Sequence, residues 1–247
     1  MPGESPSVFS RSAGARAKFV PQKSFERGHL SLQRSDGCFN LPGVLQQALA
    51  LDLIRQGDNP SVSVLVTSGI VARYHLLPNG KRQYLSFHLT GDMPDSQALF
   101  IEEMDHAVCA IGPASVALIE HKDLLSLFKR RPSVSFAIWR ETLIDAAIFR
   151  EAITNNSART RTARMAHLFC ELYYRAKASG LAEDGTLFAP ISLVQLGETL
   201  GMSIATVNRT LNELRKSRTV EFYRGVLSIK SWDRLAKIVS SVLIICI

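Results

Sequence analysis

Cysteine is scarce in this chain, and what there is lies scattered. Cys38, Cys109, Cys170 and Cys246 form no CxxC pair and no cysteine–histidine cluster. A structural zinc site or a local iron–sulfur motif needs several ligands close together, so this spacing argues against both. Long apolar runs are also missing. The oily end "KIVSSVLIICI" offers about ten residues against a bilayer core of roughly 30 Å, so it is expected to pack on protein and not to span lipid. The opening "MPGESPSVFSRSAGARAKFVPQKS" lacks an apolar secretory core and is rich in Ser, Pro, Gly and Arg. It reads as a flexible leader, which implies a cytoplasmic chain with reduced thiols and no membrane partner.

At 247 residues, 46% of them apolar, the chain has room for one or two domains with a proper core. Its formal net charge of +7 is unevenly spread. Residues 1–154 hold 16 Lys+Arg against 15 Asp+Glu, whereas residues 155–247 hold 13 against 7. The basic excess therefore sits in the last third. That points to a polyanion-facing module there, with a solvated basic surface as the alternative.

From Leu51 to Ile119 the pattern favours strands. "SVSVLV" alternates Val62, Val64 and Val66, and "YLSFHL" alternates Leu85, Phe87 and Leu89. Between them Asn79-Gly80 is a hairpin signal. Glycines 57, 69, 80 and 91 recur at about one strand plus one turn, and each can supply a positive φ. A compact antiparallel sandwich or roll of short strands is expected. After Ile119, "HKDLLSLFKRRP" reads as a short helix stopped near Pro132. The next two dozen residues, from Ser133 to Asn156, contain neither Gly nor Pro. On a helical wheel Phe136, Trp139, Leu143, Ala146 and Ala147 form one stripe, with Ile144 and Ile148 outside it. So wide an apolar surface suggests burial against both the strand domain and an identical helix of a second copy, although a monomer's core helix would also account for it. Asn155-Asn156 is a hinge candidate, with the next helix starting at about Ser157.

Near the end, Ser192 precedes "LVQLGETLG" and Ser203 precedes "IATVNRTLNELRK". Each serine is placed to cap a helix, and Gly201 permits a sharp turn between them, as a helix-turn-helix requires. Val207, Leu211 and Leu214 fall on one side of the second helix. Roughly opposite lie Ala205, Thr206, Arg209, Asn212 and Lys216, with Ile204 at the edge and Asn208 on the same polar arc. Small residues allow close approach to a major groove, and an arginine can donate two hydrogen bonds to a guanine edge. "TVEFYRGVLSIKS" then reads as a hairpin turning at Arg224-Gly225, a wing that would set Arg224 beside a phosphate backbone. The alternative is an exposed structural helix pair.

Taken in order, "LIRQGD…VLVTSGIVARYHLLPNGKRQYLSFHLTGD", "RTARMAHLFCEL" and "SLVQLGETLGMSIATVNRTLNELRK" resemble the CRP/FNR class of bacterial transcription regulators, over about residues 45–237. The resemblance implies an α+β chain: an N-terminal antiparallel β-roll like a cyclic-nucleotide-binding domain, a long dimerisation helix and a C-terminal winged helix-turn-helix. The expected divisions are a leader at 1–24, the roll at 25–125, the dimerisation helix and hinge at 126–156, the winged module at 157–237 and an apolar tail at 238–247. Double-stranded DNA, a second copy of the chain and RNA polymerase are the partners it implies. Ser192 resembles the family residue that touches a phosphate, and Arg209 the central base-reading arginine. Ile204 and Ala205 replace a basic and an acidic reader of the cyclic-AMP-responsive members, so the target site should differ from theirs.

The sensor region departs further. Asp95-Ser96 stands where the family's nucleotide pocket carries Gly-Glu, and no Arg or Lys occurs from Gln83 through His121. A phosphate buried beside Glu102, Glu103 and Asp105 without a cation would be disfavoured, so no cyclic nucleotide is expected as effector. No cofactor is expected either. Haem stays open, since His75, His88, His106 and His121 are each conceivable axial ligands. Cys109 alternates like a core strand residue, and "EEMD" reads as a solvated loop. Two other functions compete: a small-molecule or protein-binding sensor with a degenerate DNA module, favoured by Ile204 and Ala205, and an enzyme built on Asp105-His106. Neighbours on a strand point to opposite faces, which speaks against that pair sharing a proton.

Overall fold

The computed structural model describes residues 52–239, together with the strand backbones of 18–19, 39–40 and 43–49. Most of the expected leader and nearly all of the apolar tail, with Cys38 and Cys246, lie outside the described residues. From the expected leader, β1 (Lys18–Phe19) pairs antiparallel with β2 (Phe39–Asn40) of the expected roll segment.

The first module is an antiparallel sheet of β3 (Gly43–Leu49), β4 (Asp52–Ile54), β5 (Val62–Leu76), β6 (Arg82–Leu89) and β7 (Ala107–Glu120). The spatial order is β3-β7-β5-β6, with β4 also on β7. Two strands are much longer than the glycine spacing implies, 15 residues in β5 and 14 in β7. The reason is Gly69. It has a φ of +81° but does not end the strand; the register shifts twice between Val66 and Ile70 and the ladder to β7 resumes. A Cβ there would lie 2.5 Å from Pro113 O, so only glycine lets the strands cross at this bulge.

The long strands are shared among three cores, one of which sets Leu65, Ala117 and Ile119 against Leu124 and Leu127; alternation separates the other two. Val64, Val66, Val71, Val108 and Ala110 pack inside the roll with Ile54 and Met104. Ile70, Ala72, Tyr74, Cys109 and Ile111 face the other way, into a core that also contains Met165, Phe169, Leu196, Val207 and Leu214 of the second module. The two modules are therefore joined by one continuous apolar cluster.

Helix α1 (His121–Arg130) stops before Pro132 as expected, and Pro132 occupies the first turn of α2 (Pro132–Ala158), where a missing N–H costs nothing. At 27 residues α2 spans about 40 Å. The hinge is displaced from its expected place. Asn155 and Asn156 remain helical, and the break falls at Arg159-Thr160, both extended, before α3 (Arg161–Ala178). Thr160 caps α3 by accepting from Ala163 N at 3.3 Å, while buried Asn155 donates to Arg164 O at 3.2 Å. The asparagine thus fastens the two helices together instead of opening the chain.

After α3 come β8 (Ala182–Glu183) and β9 (Thr186–Phe188), then α4 (Leu193–Leu200), α5 (Ile204–Lys216), β10 (Val220–Tyr223) and β11 (Val226–Ile229). The small sheet has the order β10-β11-β9-β8. The last helix among the described residues, α6 (Trp232–Val239), crosses the expected boundary at 237. It buries Leu235 and Val239 in the shared core and sets Trp232 against Tyr173, ring centres 6.0 Å apart.

Candidate nucleic-acid interface

The turn between α4 and α5 is built from local chemistry. Ser192 Oγ accepts from Gln195 N at 3.2 Å, and the Gln195 side chain accepts from Ser192 N at 2.7 Å, a reciprocal capping box. Gly201 closes α4 at a φ of +64°. Ser203 Oγ accepts from Thr206 N at 3.2 Å to begin α5. Both serines are exposed. Val207 and Leu214 are fully buried, and Leu211 packs at the edge of the same cluster. The apolar side of α5 is thereby committed to the core.

The other side of α5 is open. Ile204, Ala205, Asn208, Arg209, Asn212 and Lys216 are all exposed. Thr206 is half-buried, and its hydroxyl lies 3.0 Å from Ser203 Oγ, which leaves it a weaker base reader than its position on the wheel suggests. Asn212 Oδ1 accepts from Arg215 Nη2 at 3.1 Å. The one acid of α5, Glu213, is turned away: it accepts from Thr162 Oγ1 at 2.7 Å and pairs with Arg161 at 3.9 Å. Negative charge is thus drawn toward α3 and away from the open face.

The hairpin β10–β11 turns at Arg224-Gly225 with φ of +50° and +76°, the signs of a type I′ turn. Arg224 is exposed and lies over the Tyr223 ring at 5.2 Å. Between this wing and α5 runs a groove of about 860 Å³ bordered by Ser192, Asn208, Asn212, Arg215, Tyr223 and Arg224. Of the expected DNA-facing residues, Ser192, Asn208, Asn212 and Arg224 border this groove; Ser203, Ile204, Ala205, Thr206, Arg209 and Lys216 do not. Arg215 also lines the groove and was not among those expected, while Gln195 serves the cap of α4 and Arg218 is exposed just beyond α5. The Ser-x-x-Gln spacing and the local count of basic residues were their sequence signals.

The sensor region holds a cation after all. No Arg or Lys lies between Gln83 and His121, but Arg73 of β5 enters from outside that window and is only 4% exposed. Its Nε donates to Pro94 O, and its Nη2 pairs with Asp145 of α2 at 3.0 Å. Asp95 is fully buried, and both its carboxylate oxygens accept from Val64 N at 2.9 Å. Burial pushes its pKa up to about 7, against the pull of that hydrogen bond and of Arg73. His88 and His106 are buried too, and burial, then the Arg73 charge, lowers both below the usual histidine value.

Asp105 and His106 precede β7 in a bend, and so escape the alternation expected of a strand. Their side chains meet at 2.8 Å, Oδ1 to Nδ1. Asp105 is exposed and His106 buried, so the contact ties a buried histidine ring to a surface carboxylate. Glu102 and Glu103 are exposed as expected of a loop. Cys109 is buried, which pushes its thiol up to about 11. Among the described residues no three His, Cys, Asp or Glu side chains gather as a metal site, and no helix is long and apolar enough to cross a membrane.

A winged helix-turn-helix behind a roll of this kind defines a DNA-binding regulator. Residues 52–131 match the cyclic nucleotide-binding domain family, and residues 163–238 match the Crp-like helix-turn-helix domain family. The nitrogen fixation regulation protein FixK of Bradyrhizobium diazoefficiens is 24% identical over 66% of this chain and 68% of its own. The transcriptional activator protein FnrA of Stutzerimonas stutzeri is 24% identical over 68% of this chain and 69% of its own. The solved structure of FixK2 from Bradyrhizobium japonicum superposes with a TM-score of 0.72 at 23% identity, covering 82% of this chain and all of that one. The chain belongs to the CRP/FNR family of transcription regulators.

Proposed function

We propose that the chain binds a pseudo-palindromic duplex as a homodimer, with α5 of each protomer in a major groove. The observation that carries this reading is the open face of α5. Arg209 and its small or amide neighbours are exposed, the one acid of α5 is held back by α3, and the wing arginine flanks the groove, whose other acid, Glu221, pairs with Lys230. Arg209 is the base reader, by two hydrogen bonds to a guanine edge. Ser192, Lys216 and Arg224 contact phosphates and set the register, joined by Arg215 and Arg218. Ile204, 49% exposed, and Ala205 can meet thymine methyl groups.

The second copy docks along α2. Phe136, Trp139 and Leu143 are 65, 61 and 53% exposed, an apolar stripe that soluble monomers rarely leave bare. Ala146 and Ala147 continue it half-buried and permit close helix approach. The roll takes no cyclic nucleotide: Asp95 and Ser96 are buried, and Arg73 is already engaged by Asp145. The chain works in the cytoplasm without a cofactor, does no catalysis, and acts through RNA polymerase at its promoters.

Selection from random duplexes tests this. A protected pseudo-palindrome that disappears in Arg209→Ala supports the regulator. Salt-sensitive binding with no sequence preference overturns it, and favours a sensor whose DNA module is degenerate, the reading to which exposed Ile204 and Ala205 lend themselves. Saturable micromolar binding of cyclic AMP in calorimetry overturns the effector part alone.

A further inference from the structure

Charged side chains are rarely buried unless paired, and Arg73 is both. It lies on the inward face of β5, two residues after Val71 of the roll core. Its contacts come from three places. Nε donates to Pro94 O in the segment ahead of the turn at Ser96–Leu99. Nη2 pairs with Asp145 at 3.0 Å. The guanidinium lies 5.5 Å from the centre of the Phe149 ring. Asp145 and Phe149 are four residues apart and so share one face of α2. A planar fork can hold a carbonyl, a carboxylate and a ring at once; a lysine ammonium cannot reproduce that geometry.

From α2 the polar contacts continue into the winged module. Glu151 pairs with Arg159 at 2.5 Å and with His167 of α3 at 3.3 Å. Asn156 donates to Thr199 O of α4 at 3.4 Å. Thr162 of α3 donates to Glu213 of α5 at 2.7 Å. Arg175 of α3 then returns to the roll, donating to Phe87 O at 2.9 Å and to Asp92 at 2.8 Å. The bonds run from roll to long helix to recognition helix and back, around the shared apolar core.

We propose that Arg73 is a positioning residue for DNA binding: its grip on Asp145 fixes α2 against the roll, and thereby sets the recognition helices, so that no small-molecule effector has to supply that grip. The proposal rests on the DNA-binding reading above. The experiment uses the full chain and the duplex selected from random sequence. Arg73→Met, Asp145→Asn, the double variant and Arg73→Lys are compared for operator affinity and for amide hydrogen exchange. Each single variant is expected to lower affinity about tenfold, in the range of ordinary allosteric couplings. The double variant should lose no more than either single one, because the two act as a pair, and lysine should not rescue. Exchange should rise along the middle of α2 while α4 and α5 stay protected. Wild-type affinity in folded Arg73→Met, or additive losses in the double variant, would overturn the proposal. Should Arg73→Met not fold, full affinity in both Asp145→Asn and Arg73→Lys overturns it as well. A wild-type chain that selects no sequence sinks the DNA-binding reading instead; α2 exchange then tests the grip by itself, and unchanged protection in Asp145→Asn refutes it.

Discussion

Gly197 is a position where two well-founded expectations have opposite signs. It lies inside α4, and helix propensity says that alanine there should stabilise the fold by about 1 kcal/mol. The turn that follows says otherwise. A Cβ on Gly197 would lie 2.5 Å from Met202 O and 3.6 Å from Val207 Cγ2. The oxygen belongs to backbone and cannot swing aside, and Met202 N donates to Gly197 O at 2.9 Å, tying the segments at that point. Relief requires α4 and α5 to separate. Overpacking of this kind costs about 1–3 kcal/mol, so Gly197→Ala should come out destabilised by roughly 1–2 kcal/mol after the propensity gain. The displaced part is the recognition helix, so operator affinity should fall by about tenfold or more even in folded protein. Denaturant midpoints at unchanged slope and a duplex titration check both numbers. Gly201→Ala is the control, since its φ is +64° but no atom lies within 4 Å of its Cβ. It should lose about 1 kcal/mol of stability and little affinity. A Gly197→Ala protein as stable as the parent would refute the reasoning.

Other outcomes follow from the same structure. Asp95 titrates at about 7 when folded and near 3.8 when unfolded, so the folded state holds a proton that the unfolded chain releases. Its contribution to stability therefore falls as pH rises from about 4 to 7, by up to about 4 kcal/mol. The stability difference between the parent and Asp95→Asn, followed by urea unfolding, should change across that window; a flat difference rules the buried carboxyl out. Arg175→Met removes the cation that both Asp92 and Glu171 contact, leaving Asp92 its bond from Leu89 N, and should cost about 3–5 kcal/mol in chemical unfolding. A loss below about 1 kcal/mol would show that the shared apolar core joins the modules unaided. Trp139→Glu with Leu143→Glu should shift sedimentation from dimer to monomer and weaken binding to the full palindrome more than to a half-site. A persistent dimer would move the interface elsewhere.

Much of the fold was legible because its causes are local. Alternating valines predicted the roll strands and the absence of Gly and Pro the long helix, and both are present; two serines with Gly201 predicted the helix pair, borne out by its caps. The wing followed from Arg224-Gly225, whose positive φ values a type I′ turn demands. Where local reasoning went astray, a tertiary contact had intervened. Gly69 bends a strand because Pro113 O crosses it, and Asn155 stays helical because Arg164 O accepts its amide. Asp105 meets His106 because the chain has not yet entered the ladder.

By itself, then, the sequence determined the elements, their order and the polar face of α5, since periodicity, capping and turn chemistry act within a few residues. Only the tertiary structure decided that the roll and the winged module share one core, and that a cation enters the sensor region. Arg73 stands 22 positions before Asp95 in sequence and 72 before Asp145. Strand crossing and helix packing bring those charges together, and burial among apolar neighbours is what makes their pairing count.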